Sequence, residues 1–565
     1  MENNKLLVLP IPELDKTFNK YNLWTESFRQ KNNIEYNFQR EKGFINNISG
    51  KLNDKLKIKY ESVYPNSWLE DWWLEGYLSG REAVTIESNF SAKVNFGLES
   101  FSHEELLNRL IFSMVQVKNE YLLNGFNEKK NFYNKPLCRK QLEILKGASR
   151  VFNEEQDQYN IAKNSNYMTL FYGNNLYKIN VQGNNKKNYD KILKEILNQN
   201  IEKKYSLGTI SFDDRNGDIS LQNKLREKNK KFFSTIENSI FNITIINQEF
   251  KNEDEKIKFN LLLNGENSYV YKPLNFIYNL HNKELFINVE HTYQDGLTIL
   301  EILERTKYYL DNYIHYSGAT ESSYNLIEEN ISQEEEIYLH SLKKKYLDKI
   351  GNIDFKKLLI PIGELKNRKY SKDAFIQMCI QYAVRKTYGE YKGTYEAVDM
   401  KEYKGGRTEC IRPNSKEAME LVEAMLANKD IFLLKELYNK AENEHKTRIK
   451  ECKKGYGLDR HFFGLKQFIN ELPETERELT VEFFNNPTLK KFTENFISTT
   501  SLGHNEVMGQ PIFCPVVKEG IGISYEQNEN NIEFNLSTYI DQIENLNIFM
   551  INLKEGFSIL KEINL

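Results

Sequence analysis

The chain has 565 residues, 40% of them hydrophobic and 28% charged, enough apolar material for several packed units and too much for a wholly disordered polypeptide. A formal net charge of -3 supplies no global basic field, which excludes sequence-independent nucleic-acid binding as the main task. The five cysteines, Cys138, Cys379, Cys410, Cys452 and Cys514, never form a CxxC pair and read as free thiols of a reducing compartment.

The N-terminal stretch carries no cleavable signal pattern, the last residues carry no organelle address, and no apolar run approaches the ~20 residues of a membrane span, so a cytoplasmic protein is expected. Leu9–Leu14 reads LPIPEL, and Trp68–Arg81 is rich in tryptophan. The stretch from 185 to 260 is polar and yields no clear pattern. Leu285–Val289 is a short strand-like run and Leu297–Leu310 has helical periodicity, which puts Glu290–Gly296 in a strand-to-helix loop. A second helix is predicted over Asp373–Tyr388, with Ser371 near its N-cap and Gly389 as its stop. Near the C-terminus, Ile521–Tyr525 and Ile532–Leu536 flank a polar turn and predict a β-hairpin.

Chemistry is sparse in local patterns. Eight histidines include no HExxH or other close ligand pair, so no metal site is expected. His291 stands out because its loop adds a carboxylate at Asp295 and a turn-permitting Gly296, although a loop histidine by itself is more often structural.

Several segments in one order change that balance. LPIPEL, Trp68–Arg81 (WLEDWWLEGYLSGR), the EHTYQDG around His291, Ser371–Pro413 with its SKDAF, TYE and GRT pieces, Gly457–Leu465 (GLDRHFFGL) and Ile497–Thr500 followed by Phe513–Val517 resemble the motifs of the carnitine and choline acyltransferases over nearly the whole chain. The resemblance implies an α/β fold of two chloramphenicol-acetyltransferase-like domains, each a mixed sheet with packed helices, and an active-site tunnel between them. It implies N-terminal helices over residues 1–64 packing with the C-terminal domain, a histidine domain over 65–333, and the remainder over 334–565, in a monomer.

The activity implied is reversible acyl transfer between coenzyme A, a co-substrate with no permanently bound cofactor beside it, and the hydroxyl of a quaternary-ammonium alcohol. His291 would be the base, Asp295 and Arg407 would brace its loop, and Ser498 or Thr500 would supply the oxyanion donor; Thr500 stands where the family has a second serine. Tyr395, Thr408 and Arg460 match the carnitine-type pattern, and Cys410 departs from it. Phe513 and Tyr77 are candidates for a wall around the trimethylammonium group.

For coenzyme A, Lys366, Arg368 and Lys369 resemble the family's phosphate-binding cluster, with one lysine of the usual pair replaced near Ile362 or Gly363. Asp373 and Glu396 complete that set. The Gly509–Ile512 stretch lies where the family sets acyl length, in a loop about one residue longer than in short-chain members, and a short acyl group is expected. Two alternatives remain open: a choline O-acetyltransferase, and a non-catalytic acyl-CoA-binding protein on the same fold.

Overall fold

Leu285–Val289 forms a strand buried at every position, as a run without polar alternation requires. It lies between Phe90–Val94 and Asn275–Asn279, both antiparallel to it, and the sheet continues through Asn242–Ile246, Tyr167–Tyr172, Asn175–Asn180 and Tyr324–Ile327. The pairings of Asn242–Ile246 with its two neighbours are parallel, so this seven-stranded sheet is mixed. The helices His103–Asn124 and Gly296–Asp311 share its core on one face. These coordinates are a computed structural model that describes residues 6–35, 38–126, 136–181, 187–199, 203–217, 219–265, 267–314 and 320–564. Residues 1–5 and 565, where the reading of terminal targeting signals partly rests, lie outside the described residues.

A second, six-stranded sheet runs in the order Ile353–Pro361, Asn531–Tyr539, Ile521–Gln527, Ile497–Thr500, Thr394–Asp399, Thr408–Ile411. Ile497–Thr500 is parallel to both neighbours and the remaining pairs are antiparallel, so this sheet is mixed as well. Two mixed sheets with packed helices give the expected α/β architecture. The helices Leu14–Lys31 and Phe38–Asn47 share the hydrophobic core of the second sheet's half, where the Phe44 ring stacks on Phe483 at 4.4 Å. No helix among the described residues is long and apolar enough to cross a membrane.

The predicted elements appear with shifted ends. The two helices span Gly296–Asp311 and Lys372–Tyr388, the latter with Ser371 Oγ accepting from the Ala374 amide and Gly389 in the left-handed region. The hairpin strands run longer than their apolar cores because the ladder continues through the polar pair Glu526 and Glu533. The polar stretch from 185 to 260 holds short helices and the buried strand Asn242–Ile246; its elements are too brief for a period to show.

One seam ties the two halves together at the edge of the first sheet. The Ser91 amide donates to Ile512 O at 2.9 Å, Ile512 N to Ser91 O at 2.6 Å, and Gly509 N to Lys93 O at 2.9 Å. Val94 pairs with Met508 and Ser91 with Ile512, three steps along one chain against four along the other. The 508–512 segment therefore carries one extra residue against its partner, a β-bulge.

Candidate active site

His291 sits where the strand Leu285–Val289 ends, in a loop that closes into the helix starting at Gly296. Its Nδ1 lies 2.6 Å from Gln294 O, and a carbonyl only accepts, so Nδ1 carries the proton and Nε2 is the free base. The half-buried ring lies against Phe90 and Tyr77, at centroid distances of 5.2 and 5.6 Å. Burial pushes the imidazole pKa below its ordinary 6.5, with Asp295 opposing and Arg407 reinforcing the shift. Burial also pushes the Tyr77 hydroxyl up, so it stays protonated.

Asp295 occupies the N-cap position of the helix but does not cap it with its side chain. Its carboxylate instead takes a two-point contact from Arg407, Nε to Oδ2 at 2.9 Å and Nη2 to Oδ1 at 3.1 Å. Arg407 also donates to the carbonyls of Thr292 at 2.8 Å and His291 at 3.3 Å, so one guanidinium fixes both the acid and the loop backbone. Burial raises the Asp295 pKa, but the neighbouring charges of Arg407 and His291 outweigh it and hold the group below its usual value. Breaking one side of such a buried pair typically costs ~3–5 kcal/mol. Gly406 is required just before Arg407, since a Cβ there would lie 2.0 Å from Met400 O.

Asp295 has a third partner. Gln141, on the 3-10 turn Lys140–Lys146, donates from Nε2 to Asp295 Oδ2 at 2.7 Å, and its Oε1 accepts from the Asp295 amide at 3.0 Å and the Thr298 hydroxyl at 2.5 Å. Both functional ends of one buried amide are spent on this loop.

The second constellation is built on the other sheet. Arg460 lies buried on the helix Asp459–Lys466; its Nη2 lies 3.2 Å from both the Tyr395 hydroxyl and Thr408 Oγ1, and its Nε donates to Thr408 O at 2.7 Å. The guanidinium stacks over the Trp73 ring at 4.1 Å. Trp73 and Tyr77, four apart on the helix Glu70–Leu78, therefore bridge from Arg460 to His291. Phe513 lies over Gly522, where a Cβ would sit 3.0 Å from its ring.

Ser498 is the register partner of Tyr395 on one side and Gly522 on the other. Thr499 points away from them, donating to Tyr395 O at 2.8 Å and receiving Gln377 Nε2 at 3.0 Å, so alternation puts the Ser498 and Thr500 side chains on the opposite face, with Tyr395.

The coenzyme A candidates separate into two groups. Lys366, Arg368 and Lys369 are exposed around the 3-10 turn Gly363–Asn367. Asp373 keeps 38% of its side chain open while accepting from the Tyr525 hydroxyl at 2.7 Å and pairing with His445 Nε2 at 2.9 Å. Glu396 lies buried, with Oε2 3.7 Å from His445 Nε2. Burial and the Asp373 charge raise the Glu396 pKa well above the usual value, whereas His445 holds Asp373 low against its own burial. The ligand atoms of Asp373, Glu396 and His445 lie within 4.8 Å of one another, a grouping of metal-ligating types that no local sequence spacing announces.

The family model for choline/carnitine O-acyltransferases matches residues 9–555. The chain belongs to this family. It is 24% identical over 531 residues to a putative acetyltransferase of Mycoplasma pneumoniae, covering 88% of this chain and 86% of that one. Human carnitine O-acetyltransferase is 24% identical over 94% of this chain and 89% of its own length. Bovine mitochondrial carnitine O-palmitoyltransferase 2 is 22% identical over 94% and 88%. The chain is thus an acyltransferase of the choline/carnitine family, and acetyl- and palmitoyl-transferring relatives resemble it almost equally.

Within this choline/carnitine acyltransferase, sequence reasoning missed Gln141, Phe90 and Trp73. Trp73 had a signal, its spacing of four from Tyr77. Gln141 had none, since its partners Asp295 and Thr298 lie in a distant segment.

Proposed function

We propose that this acyltransferase is a carnitine O-acyltransferase that moves a short acyl group reversibly between the thiol of coenzyme A and the hydroxyl of carnitine. The observation that carries the acceptor is Arg460, a buried guanidinium held by Tyr395 and Thr408 with no carboxylate in ion-pair contact among the described residues. Its neighbour Glu409 is pushed up to about 7 by burial, so it compensates Arg460 only in part at neutral pH. A buried cation with spare charge suits the carboxylate that carnitine has and choline lacks.

In this mechanism Nε2 of His291 takes the proton from the acceptor hydroxyl as its oxygen attacks the thioester carbonyl. The tetrahedral intermediate places its oxyanion toward the Ser498 or Thr500 hydroxyl. Its collapse breaks the carbon–sulfur bond, and His291 returns the proton to the departing thiolate. Neutral Tyr77 and the Trp73 ring stand beside the quaternary ammonium, and Lys366, Arg368, Lys369 and the open edge of Asp373 face the nucleotide of coenzyme A. The short acyl group is the expectation for the Gly509–Ile512 stretch, which pairs with Ser91–Lys93 beside the buried Met508.

The acceptor is tested by following thiol release from acetyl-CoA with L-carnitine and with choline. Carnitine is expected to give the higher kcat/KM; preference for choline would overturn the assignment. A second expectation concerns the loop. Gln141→Leu leaves the Asp295 amide and the Thr298 hydroxyl proton without their acceptor, a cost of ~1–3 kcal/mol, and is expected to lower kcat about tenfold with both KM values within about twofold. Steady-state kinetics on the folded variant checks it, and an unchanged kcat would remove the positioning role.

A further inference from the structure

We infer that Lys401 is a positioning residue for the reaction, acting through Thr298 to fix the direction of the Gln141 amide that holds Asp295 beside His291; the inference rests on the reading of His291 as the base. The strands Thr394–Asp399 and Thr408–Ile411 pair antiparallel, and the turn between them closes where the Met400 amide donates to Arg407 O at 3.0 Å. Both ends of this turn reach from the second sheet to the helix Gly296–Asp311 and the loop before it. Arg407 grips Asp295, and Lys401 Nζ donates to Thr298 Oγ1 at 3.1 Å. The Lys401 main chain holds the remaining partner, since its carbonyl accepts from the Cys138 amide at 2.6 Å, just before Gln141.

The direction of each bond follows from what the groups are able to give. An ammonium only donates, so the Thr298 oxygen accepts from Lys401 and turns its own proton to Gln141 Oε1 at 2.5 Å. The carboxamide oxygen, which also receives the Asp295 amide at 3.0 Å, is thereby held on that side, and the opposite NH2 faces Asp295 Oδ2 at 2.7 Å. Without the ammonium the hydroxyl is free to rotate and to accept from the carboxamide NH2 instead, which draws that donor away from Asp295. Lys401, Thr298 and Gln141 are all buried. A cation beside the first turn of a helix opposes the helix dipole, so helix stability does not account for this lysine. Its charge is met by the buried Glu301, one turn farther along the same helix face, with Oε2 at 3.8 Å; Arg139 approaches the other carboxylate oxygen at 3.3 Å.

The test is a double-substitution cycle on thiol release from acetyl-CoA, with whichever of L-carnitine and choline is the better acceptor: wild type, Lys401→Met, Gln141→Leu and the two together. Lys401→Met keeps the apolar stem and removes the ammonium; Lys401→Gln takes its place should that variant not fold. It is expected to lower kcat about fivefold, less than Gln141→Leu because the Asp295 amide still orients the carboxamide, with both KM values within about twofold. The double variant is expected to stay at the loss of Gln141→Leu alone, about tenfold, whereas independent effects would multiply to about fiftyfold. Thr298→Ser, which keeps the hydroxyl, is expected to stay within about twofold of wild type, and Thr298→Val to lose at least as much as Lys401→Met. A multiplied loss in the double variant, or KM values that rise as kcat falls, would make Lys401 a tether between the two halves and overturn the inference, as would an unchanged kcat in Lys401→Met. A wild type without acceptor-dependent thiol release, or a His291→Ala variant that retains it, would defeat the underlying reading instead.

Discussion

Replacing His291 by alanine is expected to lower kcat by about 10³-fold while leaving the affinity for acyl-CoA within about threefold, because general acid–base catalysis contributes ~10²-fold to 10⁴-fold. The loss falls on kcat because the imidazole acts on a proton in flight, and its ring is no part of the basic cluster around Lys366. Stopped-turnover thiol release combined with CoA titration separates the two. A variant that loses CoA affinity in parallel with turnover would mean that the ring is structural, the role a loop histidine has more often.

The pH profile follows from the same geometry. The hydrogen bond from Nδ1 to Gln294 leaves Nε2 as the acceptor, so the neutral ring is the active form. Burial holds its pKa below 6.5, so kcat/KM stays flat through neutrality and falls about tenfold per pH unit once pH drops through that lowered value. Asp295 opposes the shift, so Asp295→Asn moves the acid limb to still lower pH in addition to slowing the reaction.

How much of this was legible depended on the range of the interaction. The strand Leu285–Val289 and the loop after it could be read because a continuous apolar run ending in a polar, glycine-bounded segment is a local signal. The helix from Lys372 to Tyr388 carried its own cap and stop. Arg460 could be read only through a family motif, since nothing local in GLDRHFFGL says that this arginine turns inward onto Trp73 and Tyr395. Gln141 was illegible: its partners Asp295 and Thr298 are brought close only by the assembled fold. The burial of Glu396 beside His445 was likewise not legible, because the TYE segment shows the residue type and not the face of the strand on which it lies.

Arg460→Asn is the substitution that separates acceptor recognition from chemistry. The guanidinium is fixed from three directions, by Tyr395, Thr408 and the Trp73 ring, so a carboxylate arriving there meets a preorganised charge. A hydrogen bond to a charged group typically contributes ~1.5–3 kcal/mol, which corresponds to a rise in KM for carnitine of about 10-fold to 150-fold, while KM for acetyl-CoA stays within about twofold. Choline has no carboxylate to lose, so its kcat/KM is expected to hold or rise and the preference for carnitine to shrink. Arg460→Lys keeps the charge but not the planar fork and is expected to fall between the two. These comparisons are internal to one protein and one assay, so a general loss of stability would lower kcat with every acceptor and could not mimic a selective rise in KM for carnitine. Unchanged carnitine kinetics in Arg460→Asn would show that the carboxylate is held elsewhere, and with it the case for carnitine over choline would fall.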